Sequence, residues 1–143
     1  MNRTALALAA TIFTVSPVFA LSLTSVQVGE IYCDARLSGD MAPVLAILTP
    51  ELAALVAKSI PAGGDAATAV PWQSNADYAS NCMPVGASGT AERPEIVIAF
   101  GYTDPGKAQF ADRLIMRFVD QRLRIDDIAY ASSGTLRDKL AGR

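Results

Sequence analysis

Apolar residues are distributed in three ways along this chain: a solid run at Ala5–Val15, helix-spaced stripes as far as Ile60, and strict alternation after Pro94. Leu23, Val26, Ile31, Cys33 and Leu37 fall roughly on one side of a helix, which Ser38-Gly39-Asp40 ends. Asp40 is placed to cap a short second helix over Met41–Leu48. Thr49-Pro50-Glu51 starts a third with a hydroxyl cap, proline at the first helical position and an acid in the first turn. Its stripe is Leu52, Leu55, Val56 and Ile60, and Pro61 stops it.

From Ala62 to Pro94 the periodicity disappears and Gly, Ala, Ser, Asn and Pro dominate, so an irregular excursion is expected there. Alternation then predicts three antiparallel strands, near Glu95–Thr103, Arg113–Asp120 and Leu123–Ala131. Asp104-Pro105-Gly106 and Asp120-Gln121 supply the turns. Ile96, Ile98, Phe100, Leu114, Met116 and Phe118 are expected to face the helices. In the third strand Leu123 and Ile125 have one parity and Ile128 and Tyr130 the other. A bulge at Asp126-Asp127 would turn both pairs inward. Ser133-Gly134 leads into a short helix, Leu136–Leu140. The order predicts an α+β fold: N-terminal helices packed on a curved, cone-like antiparallel sheet, then a short C-terminal helix.

At Leu123-Arg124-Ile125-Asp126-Asp127-Ile128-Ala129-Tyr130 the chain resembles the nuclear transport factor 2-like superfamily, in particular small exported members of unassigned function. Those chains often finish with a strand reading aromatic-x-Ile-Asp-Asp-Ile and a short Thr-Leu-Arg helix, here Thr135-Leu136-Arg137. The Tyr32-Cys33 helix and the Leu48-Thr49-Pro50-Glu51-Leu52 turn suit the pattern, whereas Leu123 stands where an aromatic is usual. The resemblance implies a cone whose open end holds a small hydrophobic ligand. Members include isomerases, dehydratases and non-enzymatic binding domains, so the fold leaves function open. Enzymatic members place Asp, His or Tyr inside the cone, and this chain offers only aspartate and tyrosine.

The opening run changes where such a domain would work. Arg3, the apolar Ala5–Val15 and the small residues Val18 and Ala20 read as a secretory signal peptide over residues 1–20, cleaved before Leu21. The run is too short to anchor the chain in a bilayer, which takes about 20 apolar residues. Of 143 residues, 123 remain as a single domain over residues 21–143. A periplasmic or secreted location lets Cys33 and Cys82 pair, tying the irregular excursion to the first helix.

Charge and missing residue types narrow the chemistry. Setting Arg3 aside, eleven basic residues face fourteen acidic ones, with no dense positive face for nucleic acid. The chain has no histidine, and paired cysteines leave no thiolate for a nucleophile or zinc. No metal or cofactor site is therefore expected. Asp126 and Asp127, adjacent on a strand, point to opposite faces; a bulge with one acid solvated and the other bonded to backbone or arginine is the expected arrangement. Asp127 could serve as a general base only if turned into an apolar cone near Tyr32 or Tyr130. Tyr32 and Arg36 share a helix face, and a stacked pair is favoured over a ligand clamp. Trp72, after Pro71, is expected to plug a loop onto the core, with a pocket mouth or partner face as the alternative. Ser132-Ser133-Gly134 has no accompanying base, Gly63-Gly64 and Gly86-x-x-Gly89 lack phosphate-loop context, and Asp104 with Asp112 is no calcium loop.

The sequence therefore predicts an exported, non-enzymatic domain that binds a small molecule or an envelope protein, with Trp72, Tyr32, Arg36 and Asp127 as candidate contacts. The alternatives are an inhibitor or immunity-type partner of a secreted enzyme, and an isomerase- or dehydratase-like enzyme using Asp and Tyr. Oligomeric state is not encoded in any readable pattern.

Overall fold

In the computed structural model, which describes residues 21–142, helix α1 (Ser25–Ser38) opens on a capping box. Thr24 accepts from the Gln27 amide while the Gln27 side chain accepts from the Thr24 amide. Gly39, at φ 80°, closes the helix in the left-handed conformation that costs glycine least. Asp40 accepts from the Ala42 amide at the start of α2 (Ala42–Leu45), although the N-cap position itself falls on Met41, and Thr49 caps α3 (Pro50–Ser59) through the Leu52 amide. The signal peptide read over residues 1–20 lies outside the described residues. Among those described, no helix is long and apolar enough to cross a membrane.

The excursion after α3 is more ordered than its composition predicts. It holds a one-turn helix, α4 (Ala66–Ala69), and a full strand, β1 (Asn81–Gly89). The strands β2 (Pro94–Gly101), β3 (Phe110–Val119) and β4 (Arg122–Ala129) follow, and α5 (Leu136–Ala141) closes the chain. The sheet is an antiparallel meander in the order β1-β2-β3-β4, one strand more than expected. Asp120 and Gln121 both take positive φ, 48° and 62°, as a two-residue hairpin turn requires. The bulge falls where expected: Ile115 pairs with Asp127 and Met116 with Ile125, leaving Asp126 as the extra residue. As a result Leu123, Ile125, Ile128 and Tyr130 are all buried. The outer edge of β4 is sealed where Thr49 donates to Ile125 and Ile125 donates to Ile47, each at 2.8 Å.

The core fills the space between the helices and one face of the sheet: Val28, Tyr32 and Leu52 against Ile96, Ile98, Phe100, Leu114, Met116 and Ile128. A Cβ on Gly29 would lie 2.9 Å from Pro84 Cβ, so this glycine lets α1 close onto the sheet. Cys33 and Cys82 form a disulfide, but it joins α1 to β1 rather than to a loop. Two packing expectations fail. The buried face of α1 is Val28, Gly29, Tyr32, Cys33, Ala35 and Arg36, whereas Val26 and Leu37 are exposed. Phe118 is 48% exposed, whereas Leu114 and Met116 at the same parity of β3 are fully buried.

Candidate functional site

Residues 65–78 cross the end of the core with only the single turn of α4 as regular structure, and side chains hold them in place. The chain has four tyrosines, and every hydroxyl donates to a backbone carbonyl of this segment. Tyr32 reaches Trp72, Tyr130 reaches Pro71, Tyr78 reaches Ala67 at 3.0 Å and Tyr102 reaches Asp77 at 3.1 Å. Burial pushes the Tyr32 hydroxyl far above its usual range; Arg36 pulls it down, while Asp112 and Tyr130 add to the rise, leaving it a permanent donor. Trp72 is the expected plug, 1% exposed, and its Nε1 donates to Ala66 at 2.8 Å. Buried Asp112 accepts from the amides of Ser74 (2.8 Å) and Ala131 (2.9 Å).

Beneath this segment lies a cavity of about 300 Å³, walled by Val70, Pro71, Trp72 and Gln73, with Arg36, Tyr78 and Lys139 at its polar side. No acidic residue lines it. Arg36 is 6% exposed; its Nη2 donates to Gln73 Oε1 at 2.9 Å, while Nε and Nη1 are buried with no hydrogen-bond partner. These are the only buried, unpartnered side-chain nitrogens or oxygens among the described residues. Gln73 uses its other end to knit the loop, donating to Asn75 (2.9 Å) and Asp77 (2.6 Å). The guanidinium lies 5.0 Å from the centroid of the Tyr78 ring, not against Tyr32 as the four-residue spacing suggests. Lys139 sits 4.1 Å from the Tyr130 ring centroid. A second cavity of about 310 Å³, between Leu21–Leu23 and Arg122–Arg124, has no such under-partnered group in its wall.

Of the four candidate contacts, the structure brings Tyr32, Arg36 and Trp72 together and places Asp127 elsewhere. Asp127 Oδ1 accepts from the amides of Ile128 (2.8 Å) and Arg137 (3.0 Å), fixing the start of α5 to β4. Asp126 is the hub of an ionic joint, accepting from Thr49 (3.1 Å), Arg117 (3.1 Å) and Arg137 (2.6 Å). Neither acid is left to solvent alone, so both sides of the expected bulge are structural. Burial raises the Asp126 carboxyl, but the Arg117 hydrogen bond, the Arg137 charge and the Thr49 bond together hold it below its ordinary value. Among the described residues no group of three or more Cys, Asp or Glu could hold a metal ion. Sequence reasoning missed Gln73, Tyr78 and Lys139. Gln73 and Tyr78 were signalled only by the amide and aromatic residues within an otherwise bland stretch, and nothing marked Lys139, which lies on α5.

No family model and no curated protein matches the chain. It is similar to the solution structure of a SEC-C motif containing protein from Rhodopseudomonas palustris, at 14% identity and a TM-score of 0.46, over 68% of this chain and 70% of that one. A likeness at that level transfers neither fold nor function. No family model matches, and the similar structure is described as a SEC-C motif containing protein, so the resemblance to the nuclear transport factor 2-like superfamily finds no support in these comparisons and is withdrawn. The residues that suggested it, Leu123–Tyr130 and Thr135-Leu136-Arg137, have local explanations in the bulge of β4 and the capping of α5. Buried residues pack between the helices and the sheet, and the cavity of the site is lined mainly by residues of the 65–78 segment.

Proposed function

We propose that this protein is an exported, non-enzymatic domain that binds a small organic molecule in the cavity under residues 65–78. One observation carries the reading: a cavity of about 300 Å³, at the lower end of ligand-sized pockets, is backed by a buried and under-partnered arginine. The pinned backbone of the segment favours binding, because a pre-formed wall avoids an ordering cost when the ligand enters. Export is supported by the Cys33–Cys82 disulfide, which is consistent with an oxidising compartment, together with the signal-like run before Leu21. The non-enzymatic reading is supported by the lack of histidine, the paired cysteines and the structural engagement of Asp126 and Asp127. A protein partner docking on Trp72 has no support, since that indole is enclosed.

The test is a titration of the isotopically labelled, disulfide-bonded protein with a panel of small neutral and charged organic compounds, followed by amide NMR. Shifts clustered at Val70–Ser74 and Arg36 are expected for at least one compound class. A panel that moves nothing there at millimolar concentration, or moves only the Leu21–Leu23 region, would refute the reading.

A further inference from the structure

We infer that the group this cavity recognises is a carboxylate, received by Arg36 as the Tyr78 ring swings aside. The inference rests on the cavity being the binding site and adds the chemistry of its ligand.

A guanidinium taken out of water needs both an opposite charge and partners for its N–H groups. Arg36 has neither in full. None of the five ion pairs among the described residues includes it, although the more exposed Arg113, Arg117 and Arg137 each hold a carboxylate. The buried acid Asp112 is already engaged by two backbone amides. Two of the three guanidinium nitrogens remain without acceptors, and the third has a neutral one in Gln73. A carboxylate supplies the missing charge and two acceptor oxygens in the planar spacing that a guanidinium matches. Lys139, also on the cavity wall, adds positive potential with no acid opposing it.

The rest of the wall selects among anions. Ala69, Pro71 and Ala76 offer the accessible apolar surface, which suits a carboxylate carrying a compact hydrocarbon body better than a highly hydrated phosphate. Tyr78 is the element able to move. Its ring covers the guanidinium yet is 52% exposed, and one hydrogen bond to Ala67 tethers its hydroxyl. Turning it outward uncovers the guanidinium without disturbing Tyr32, Tyr102 or Tyr130, which hold the backbone of the segment.

The experiment compares isobutyrate with isobutyramide, benzoate with benzamide, and inorganic phosphate, each titrated into the disulfide-bonded protein. Readouts are the Arg36 Nε–H resonance and the dissociation constants. Each acid should bind at least about tenfold more tightly than its amide, a difference of about 1.4 kcal/mol. Arg36→Gln should abolish that preference with the amide spectrum otherwise intact, and Tyr78→Ala should keep it. Equal binding of acid and amide in the cavity would overturn the inference and leave the binding function standing, as would phosphate binding more tightly than both acids. Absence of any shift in the cavity from all five probes, together with none from the wider panel, would remove both. If Arg36→Gln fails to fold, the acid-to-amide ratio in the unaltered protein and in Tyr78→Ala still decides.

Discussion

Replacing Arg36 by methionine should leave this protein as stable as before, or more stable by about 1–2 kcal/mol, although the residue is 6% exposed and hydrogen-bonded. Two favourable interactions are lost. The Nη2–Gln73 bond, charged on one side, is worth about 1.5–3 kcal/mol, and the stacking on Tyr78 about 0.5–1. Against them stands the desolvation of a guanidinium that has no carboxylate partner, which costs several kcal/mol even after relaxation. Methionine keeps an unbranched stem on the buried face of α1, so no large void is created. Gln73 loses one partner but keeps its bonds to Asn75 and Asp77. The assay is urea unfolding of the oxidised protein, with an unchanged m-value as the check that the denatured state has not altered. A loss above about 2 kcal/mol would show that the charge is well compensated in the ligand-free fold. It would also remove the main reason to regard Arg36 as a binding residue, because groups kept for binding tend to be held at a cost to stability.

Three further outcomes are expected. Phe118→Ala should cost less than about 1 kcal/mol in urea unfolding, whereas Leu114→Ala on the same strand should cost about 2–5, because one side chain is half exposed and the other enclosed. Asp126 has its folded-state carboxyl held down, so its contribution is fully present above the unfolded value of about 4 and fades as the pH falls towards the folded one. Melting temperatures between about pH 2 and 7 should therefore fall less steeply on the acid side in Asp126→Asn, which starts lower at neutral pH; parallel curves would contradict this. Replacing both Cys33 and Cys82 by alanine should lower stability by up to about 4 kcal/mol, the loop-entropy value for a separation of 49 residues, and an unchanged urea midpoint would count against it.

What could be read from the sequence follows from what makes each element form. The starts of α2 and α3 were legible because the bonding side chain is local: Asp40 and Thr49 bond an amide two and three residues ahead. Strands β2–β4 and the Asp126 bulge were legible because a buried sheet face imposes a period of two, and a parity reversal marks the extra residue. β1 was not legible. Asn81–Gly89 contains Pro84, Gly86 and Gly89 with little alternation, and it is a strand because β2 pairs with it and the disulfide holds it against α1. The α1 face was misread for a related reason: half of what it buries is Gly29, Tyr32 and Arg36, residues to which an apolar stripe gives no weight.

The candidate site was the least legible part, and the cause is the same burial of polar groups. Tyr32, Arg36 and Trp72 could be singled out by type, but their roles depend on Gln73, Tyr78 and the carbonyls of residues 66–77, which no spacing rule connects to α1. Once folded, these contacts divide the work. Tyr32, Tyr102 and Tyr130 reach in from α1, the end of β2 and the end of β4, and fix a segment that has almost no backbone ladder of its own. Tyr78 instead belongs to the segment itself and bonds back to Ala67 within it. Its release costs about one part-buried hydrogen bond and one cation–π contact, on the order of 1–2 kcal/mol, which a charge-assisted pair at Arg36 can exceed. A wall fixed by three tyrosines, with a fourth ring held only from within the segment, is the arrangement on which the proposed binding rests.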